Sequence, residues 1–237
     1  MWFTPSSSIA DSSRDLVPYH RTVFVSLDCT VQRRREPVAA GQGIRQNRPV
    51  PTHVALLRGI NVGGRNRVAM AELRSVVTSL AHTDVATYIQ SGNVVFTCPE
   101  ADTTAIAAAL ERAIAESLDV RPTVVVLSRD ELSQVIEDNP YPDETNPRFL
   151  HAAFTSAQIG PGQLAAIATA QQRATDKGSR DEAKVVGRTL FLHTPDGLGR
   201  SELAAQLART GGPLATAGSA TVRNWATVTK LLAMCVA

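Results

Sequence analysis

The chain has 237 residues, 43% of them hydrophobic and 19% charged, with a formal net charge of +2. Those values describe a globular protein with enough length to bury a core, and no apolar run approaches the ~20 residues of a membrane span. Aromatic content of 5% leaves little for base stacking, and Cys29, Cys98 and Cys235 are too few and too scattered for a disulfide framework or a metal-ligand spacing. The expectation is a cytoplasmic protein with reduced cysteines.

The basic balance belongs to the first segment. Residues 1–51 hold seven arginines against four acids, and the remainder holds 17 Lys+Arg against 18 Asp+Glu. A near-neutral body argues against broad, charge-driven nucleic-acid binding. Residues 1–51 read as a poorly ordered basic N-terminal extension: Ser6-Ser7-Ser8, Arg33-Arg34-Arg35, Gly41, Gly43, Pro49 and Pro51 break any regular pattern. Val50 stands where a GTG-initiated chain could begin, a reading that stands beside those of a basic nucleic-acid arm or a targeting peptide.

From His53 the periodicities are regular. His53 to Ile60 reads as a strand buried on both faces. The loop Arg58-Gly59-Ile60-Asn61-Val62-Gly63-Gly64-Arg65-Asn66 follows, and then Met70, Leu73, Val76, Val77 and Leu80 repeat at helical spacing. Asp84 to Ile89 and Asn93 to Thr97 form two strands joined across Gln90-Ser91-Gly92. Ile106, Leu110, Ile114 and Leu118 mark a second helix, capped near Asp102 or Thr103. Pro122 to Leu127 is a fourth, β-branched strand. The order β-α-β-β-α-β over 52–128 predicts an α+β, ferredoxin-like module, a split βαβ with an antiparallel sheet and helices on one face.

Residues 129–237 repeat the plan as a βαββα module with a C-terminal helix, so duplication is expected. Ser128-Arg129-Asp130-Glu131 is a capping box. Phe149 to Thr155 is a strand and Pro161 opens a helix. Ala183 to Val186 and Thr189 to His193 make a hairpin. Leu203 and Leu207 mark a helix ended by Gly211-Gly212-Pro213. Thr221 is read as the cap of a last helix with Trp225, Val228, Leu231 and Leu232.

Four motifs carry a resemblance: Ala55-Leu56-Leu57-Arg58-Gly59-Ile60-Asn61-Val62-Gly63-Gly64; Tyr88 through Phe96; Asp196-Gly197-Leu198-Gly199-Arg200-Ser201; and Thr221-Val222-Arg223-Asn224-Trp225. Over about residues 52 to 233 the chain resembles the bacterial family called domain of unknown function 1697. The resemblance implies a two-module α+β protein of ferredoxin-like type. That family has no established activity, so no catalytic residue is implied. After Gly-Arg-Ser the family pattern usually has lysine; Glu202 stands there in this chain.

The same motifs supply the candidate site. Glycine-rich junctions with guanidiniums and amides suit a polar or anionic ligand, through backbone N–H groups and charge-assisted hydrogen bonds. The candidates are Arg58, Asn61, Gly63, Gly64, Arg65, Gln90, Asn93, Arg200, Arg223 and Asn224, expected in a cleft between the modules. Each has a plainer alternative: positive-φ turn glycines, turn-satisfying amides, a local cap, solvated arginines. The loop lacks the Gly-Lys-Ser/Thr ending of a Walker loop, and its glycine spacing and antiparallel setting do not fit a dinucleotide fingerprint. The five histidines and the adjacent carboxylate pairs form no catalytic or metal constellation, so no metal and no particular cofactor is named, and catalysis is left open. The favoured partner is a small anionic or phosphorylated molecule. Nucleic acid on an open sheet face, or hydrolase or transferase chemistry in the same cleft, are the alternatives.

Overall fold

A computed structural model describes residues 51–209, 212–216 and 220–236; the extension expected over residues 1–51 lies, apart from Pro51, outside them. The first half runs β1 (His53–Arg58), α1 (Met70–Ser79), β2 (Thr83–Tyr88), β3 (Asn93–Thr97), α2 (Thr103–Leu118) and β4 (Thr123–Ser128). The strands form an antiparallel sheet in the order β2-β3-β1-β4. A helix, α3 (Arg129–Glu137), leads to the second half: β5 (Leu150–Thr155), α4 (Pro161–Asp176), β6 (Glu182–Val186), β7 (Thr189–His193), α5 (Glu202–Ala208), α6 (Pro213–Thr216), β8 (Ala220–Asn224) and α7 (Trp225–Met234). Its sheet has the matching order β6-β7-β5-β8. Both halves are therefore ferredoxin-like α+β modules, each followed by one further helix.

Most local signals act as their chemistry predicts. Asp102 caps α2 by accepting from the backbone N–H groups of Thr104 and Ala105. Ser128 and Glu131 form the reciprocal capping box of α3. Pro161 occupies the first turn of α4, where its missing N–H costs nothing. One element differs. Thr221 does not cap the last helix; it lies in β8, whose β-branched run Thr221-Val222 pairs with the free edge of β5. Asn224 is the cap instead, its Oδ1 accepting from Thr227 N at 3.0 Å. The second module therefore has four strands.

Alternation in each strand builds two layers. Ala55 and Leu57 of β1 face α1 and α2 with Leu73, Val77, Leu110 and Ile114. Val54 and Leu56 face the other way, into a cluster with Val95, Val125, Leu132, Phe154, Val228 and Leu231. That second cluster joins both sheets to α3 and α7, which pack on each other. The sheet face that a ferredoxin-like nucleic-acid binder leaves open is here filled by apolar side chains from the other module. A base-stacking platform has no room on it, and the nucleic-acid alternative loses its structural basis.

Candidate functional site

A pocket of ≈ 520 Å³ opens where the two modules meet. The first module supplies the end of β1 and the following loop (Leu57 to Val62) and the turn after β2 (Ile89, Gln90, Ser91). The second supplies Ala208, Leu214 and β8 residues Ala220 to Arg223. Of the ten candidates, Arg58, Asn61, Gln90 and Arg223 line it. Gly63, Gly64, Arg65, Asn93, Arg200 and Asn224 do not.

The loop after β1 is a self-contained clasp. Val62 and Arg65 form a bridge, with Arg65 N donating to Val62 O at 3.0 Å. Gly63 (φ 57) and Gly64 (φ 77) sit between them in the left-handed region, the pattern of a two-residue hairpin turn. Helix α1 starts six residues further on, so these glycines are not a helix-terminus anion nest: turn geometry accounts for them. Asn61, at φ 52, ties the clasp down. Its Nδ2 donates to Val68 O and Gln90 O, both at 3.0 Å, and its Oδ1 accepts from Val68 N at 2.9 Å. Asn61 thus fixes the β1–α1 loop to the β2–β3 turn rather than presenting a free amide.

Asn93 and Arg223 also hold structure together. Asn93 is fully buried, and its Nδ2 donates to Tyr88 O at 3.0 Å and Ser91 Oγ at 2.9 Å, closing the turn. Its Oδ1 accepts from Arg223 Nε. The Arg223 Nη1 donates to Thr221 Oγ1 at 2.6 Å and Val222 O at 2.8 Å. Nη2 donates to Leu57 O at 2.7 Å, Ser91 O at 3.0 Å and Gly92 O at 3.3 Å. Every acceptor is neutral. Arg223 is 9% exposed, and burial lowers its pKa to about 10, so it remains a cation at neutral pH with no carboxylate among the described residues bonded to it.

Arg58 is different. It is exposed and makes one hydrogen bond, from Nη1 to Ala220 O at 3.3 Å, leaving most of its N–H groups free. Among the described residues the pocket lining contains no Asp, Glu or His. The site is thus a mostly apolar recess carrying two guanidinium charges without an acid to offset them.

The remaining candidates serve elsewhere. Arg200 lies in a 3-10 turn, Leu198–Arg200, ahead of α5. Beside it Ser201 caps α5 and donates to the buried Asp181 at 2.8 Å. Glu202, where lysine was expected by resemblance, accepts from Lys177, so a cation still reaches that point from the C-terminal cap of α4. Among the described residues no group of three His, Cys, Asp or Glu is placed to hold a metal, and no described helix is long and apolar enough to cross a membrane.

Sequence reasoning missed the apolar part of the lining: Val62 is 67% exposed and Ile89 52% exposed. The signal was present. A valine inside a glycine-rich polar loop, and an isoleucine at the start of a tight turn, are each out of place if the loops serve only solvent.

No curated protein matches this chain. A solved structure titled "The structure of conserved bacterial protein SP0830 from Streptococcus pneumoniae" is similar in fold, with a TM-score of 0.60 at 24% identity; the similarity covers 78% of this chain and 99% of that one. The family model described as "Protein of unknown function (DUF1697)" matches residues 50–191, a span that contains the β1–α1 clasp and the β2–β3 turn. The chain belongs to the DUF1697 family.

Proposed function

We propose that this protein binds a small organic anion in the pocket between its two modules. The observation that carries the reading is the unbalanced charge among the described residues: Arg223 is buried among neutral acceptors only, Arg58 keeps free donors, and no acid lines the recess. Such a site gains from a negative charge in a partly water-excluded space, where Coulomb attraction is weakly screened. Arg223 supplies field rather than contacts, because its donors are spent. Arg58 supplies the contacts.

Binding is favoured over turnover in this reading. Among the described residues the lining offers the Ser91 and Thr221 hydroxyls but no histidine or carboxylate to activate them. A cytoplasmic setting is supported by Cys98 and Cys235, both buried and unpaired.

A thermal-shift titration with phosphate, sulfate and simple carboxylates tests the proposal. At a hundredfold excess over Kd a ligand of the native state adds about 2.7 kcal/mol, so Tm rises. Arg58→Ala abolishes that rise while leaving the Tm of the free protein nearly unchanged. A panel in which no anion moves Tm, or in which Arg58→Ala responds like the parent, removes the proposal.

A further inference from the structure

An anion alone does not account for the walls of this pocket. Ile89 is 52% exposed and sits at φ 48, in the left-handed region. A β-branched residue there costs roughly 1–3 kcal/mol, a conformation kept where something else requires it. Val62 at 67% and Val222 at 36% exposure share the rim, and Ile60 and Leu214 lie deeper. Three of the exposed large hydrophobic side chains among the described residues thus gather at one opening. Against them stand the free donors of Arg58 and the Gln90 side chain, which makes no hydrogen bond among the described residues. The volume, ≈ 520 Å³, falls in the range of sites that hold drug-sized organic molecules and far exceeds a phosphate ion.

The geometry points to an amphipathic anion: one carboxylate or phosphate headgroup at Arg58 and Gln90, joined to an aryl or alkyl body lying on Ile89, Val62 and Val222. This rests on the anion reading above and adds the chemical class of the body. The exposed apolar rim and the guanidinium then have one cause.

Isothermal titration calorimetry on the full chain separates the two levels. The probes are inorganic phosphate, phenyl phosphate, phenylacetate, the straight-chain carboxylates from butyrate to octanoate, and 1-hexanol. Affinity is expected to rise about fourfold per added methylene along the carboxylates. Phenyl phosphate is expected to bind at least tenfold tighter than phosphate, and hexanoate at least tenfold tighter than hexanol. Comparison of phenylacetate with phenyl phosphate identifies the headgroup. The variant Ile89→Asn supplies an opposite-sign readout: asparagine tolerates this φ, so Tm holds or rises while hexanoate binding weakens about fivefold. Chain-length-independent binding, or phosphate as tight as phenyl phosphate, overturns the amphipathic inference and leaves the anion site standing. Hexanol as tight as hexanoate, or no heat from any probe, overturns both.

Discussion

Arg223 Nε donates to Asn93 Oδ1 across 130 residues of sequence and joins the two sheets. The same guanidinium bonds three carbonyl oxygens of the first module, those of Leu57, Ser91 and Gly92. Removing it leaves buried acceptors without donors and an empty inter-module volume. Arg223→Ala is expected to destabilise by roughly 3–5 kcal/mol, the range seen when one side of a buried polar network is removed. Arg223→Lys recovers the charge but not the planar fork, and should still lose roughly 2 kcal/mol. Asn93→Ala should cost about 1–3 kcal/mol, and the double variant less than the sum. Urea denaturation of the four variants, each against the parent, measures all four values. Additive losses would show that the two residues act independently.

The β2–β3 turn makes a sharper steric demand than the clasp beside it. Gly92 has φ 73, and a Cβ there would lie 2.8 Å from the Leu57 Cβ and 3.0 Å from the Ile60 Cδ1. Both neighbours are buried core atoms, so Gly92→Ala combines left-handed strain with overpacking and should cost roughly 2–4 kcal/mol. Gly64 has φ 77 with nothing within 4 Å of its added Cβ, so Gly64→Ala should cost only about 1 kcal/mol, the left-handed penalty alone. Thermal melts of the two variants rank them; equal losses would contradict the packing difference.

Both modules were legible because their signals are local. The helices announce themselves by apolar spacing, and α2, α3 and α4 by their first residues. Strand β8 was not, because Thr221-Val222-Arg223-Asn224-Trp225 carries a strand and a helix cap in five residues. Only the unpaired edge of β5 decides where one ends and the other begins. The site was half legible for the same reason. Glycine, arginine and amide clusters mark junctions, but nothing local tells Arg58, with one long hydrogen bond, from Arg223, with every donor spent. That difference is made by Asn93 and the β1 end arriving from the other module. The apolar rim as a whole is invisible to local pattern because Val62 and Ile89 meet Val222 only when the second module folds against the first.

Glu131 links three parts of the chain. Its Oε2 accepts from Ser128 N at 2.8 Å, and its Oε1 accepts from Arg188 Nη2 of the second module's hairpin at 2.7 Å. Ser128→Ala removes the cap alone and should cost about 1 kcal/mol. Glu131→Ala removes the return half of the box and a half-exposed ion pair, and should cost about 1–2 kcal/mol. Arg188→Ala keeps the box and should cost under about 1 kcal/mol, because solvent screens the pair. Added salt should shrink the Arg188 effect and leave the Ser128 effect in place. A salt-dependent Ser128→Ala loss would mean that the cap acts through charge.

Three buried histidines carry lowered pKa values and should weaken the fold in acid. Burial lowers the pKa of His151, whose Nδ1 is buried without a hydrogen-bond partner. Burial, with the nearby His53 charge adding to it, lowers that of His82, whose Nε2 is likewise unpartnered. Burial also lowers His53, against an opposing pull from Glu131. Each is neutral in the folded chain at a pH where the unfolded chain already binds a proton. Their contribution is therefore fully present above the ordinary value of 6.5 and is lost as pH falls from there through the lowered folded values. Stability measured by urea denaturation should be flat from pH 8 to about 7 and decline progressively below about 6.5. His151 is buried in β5, so His151→Phe should flatten part of that decline while lowering stability at pH 8 by roughly 1–3 kcal/mol through the larger ring. A His151→Phe curve parallel to the parent's would show that another group governs the acid transition.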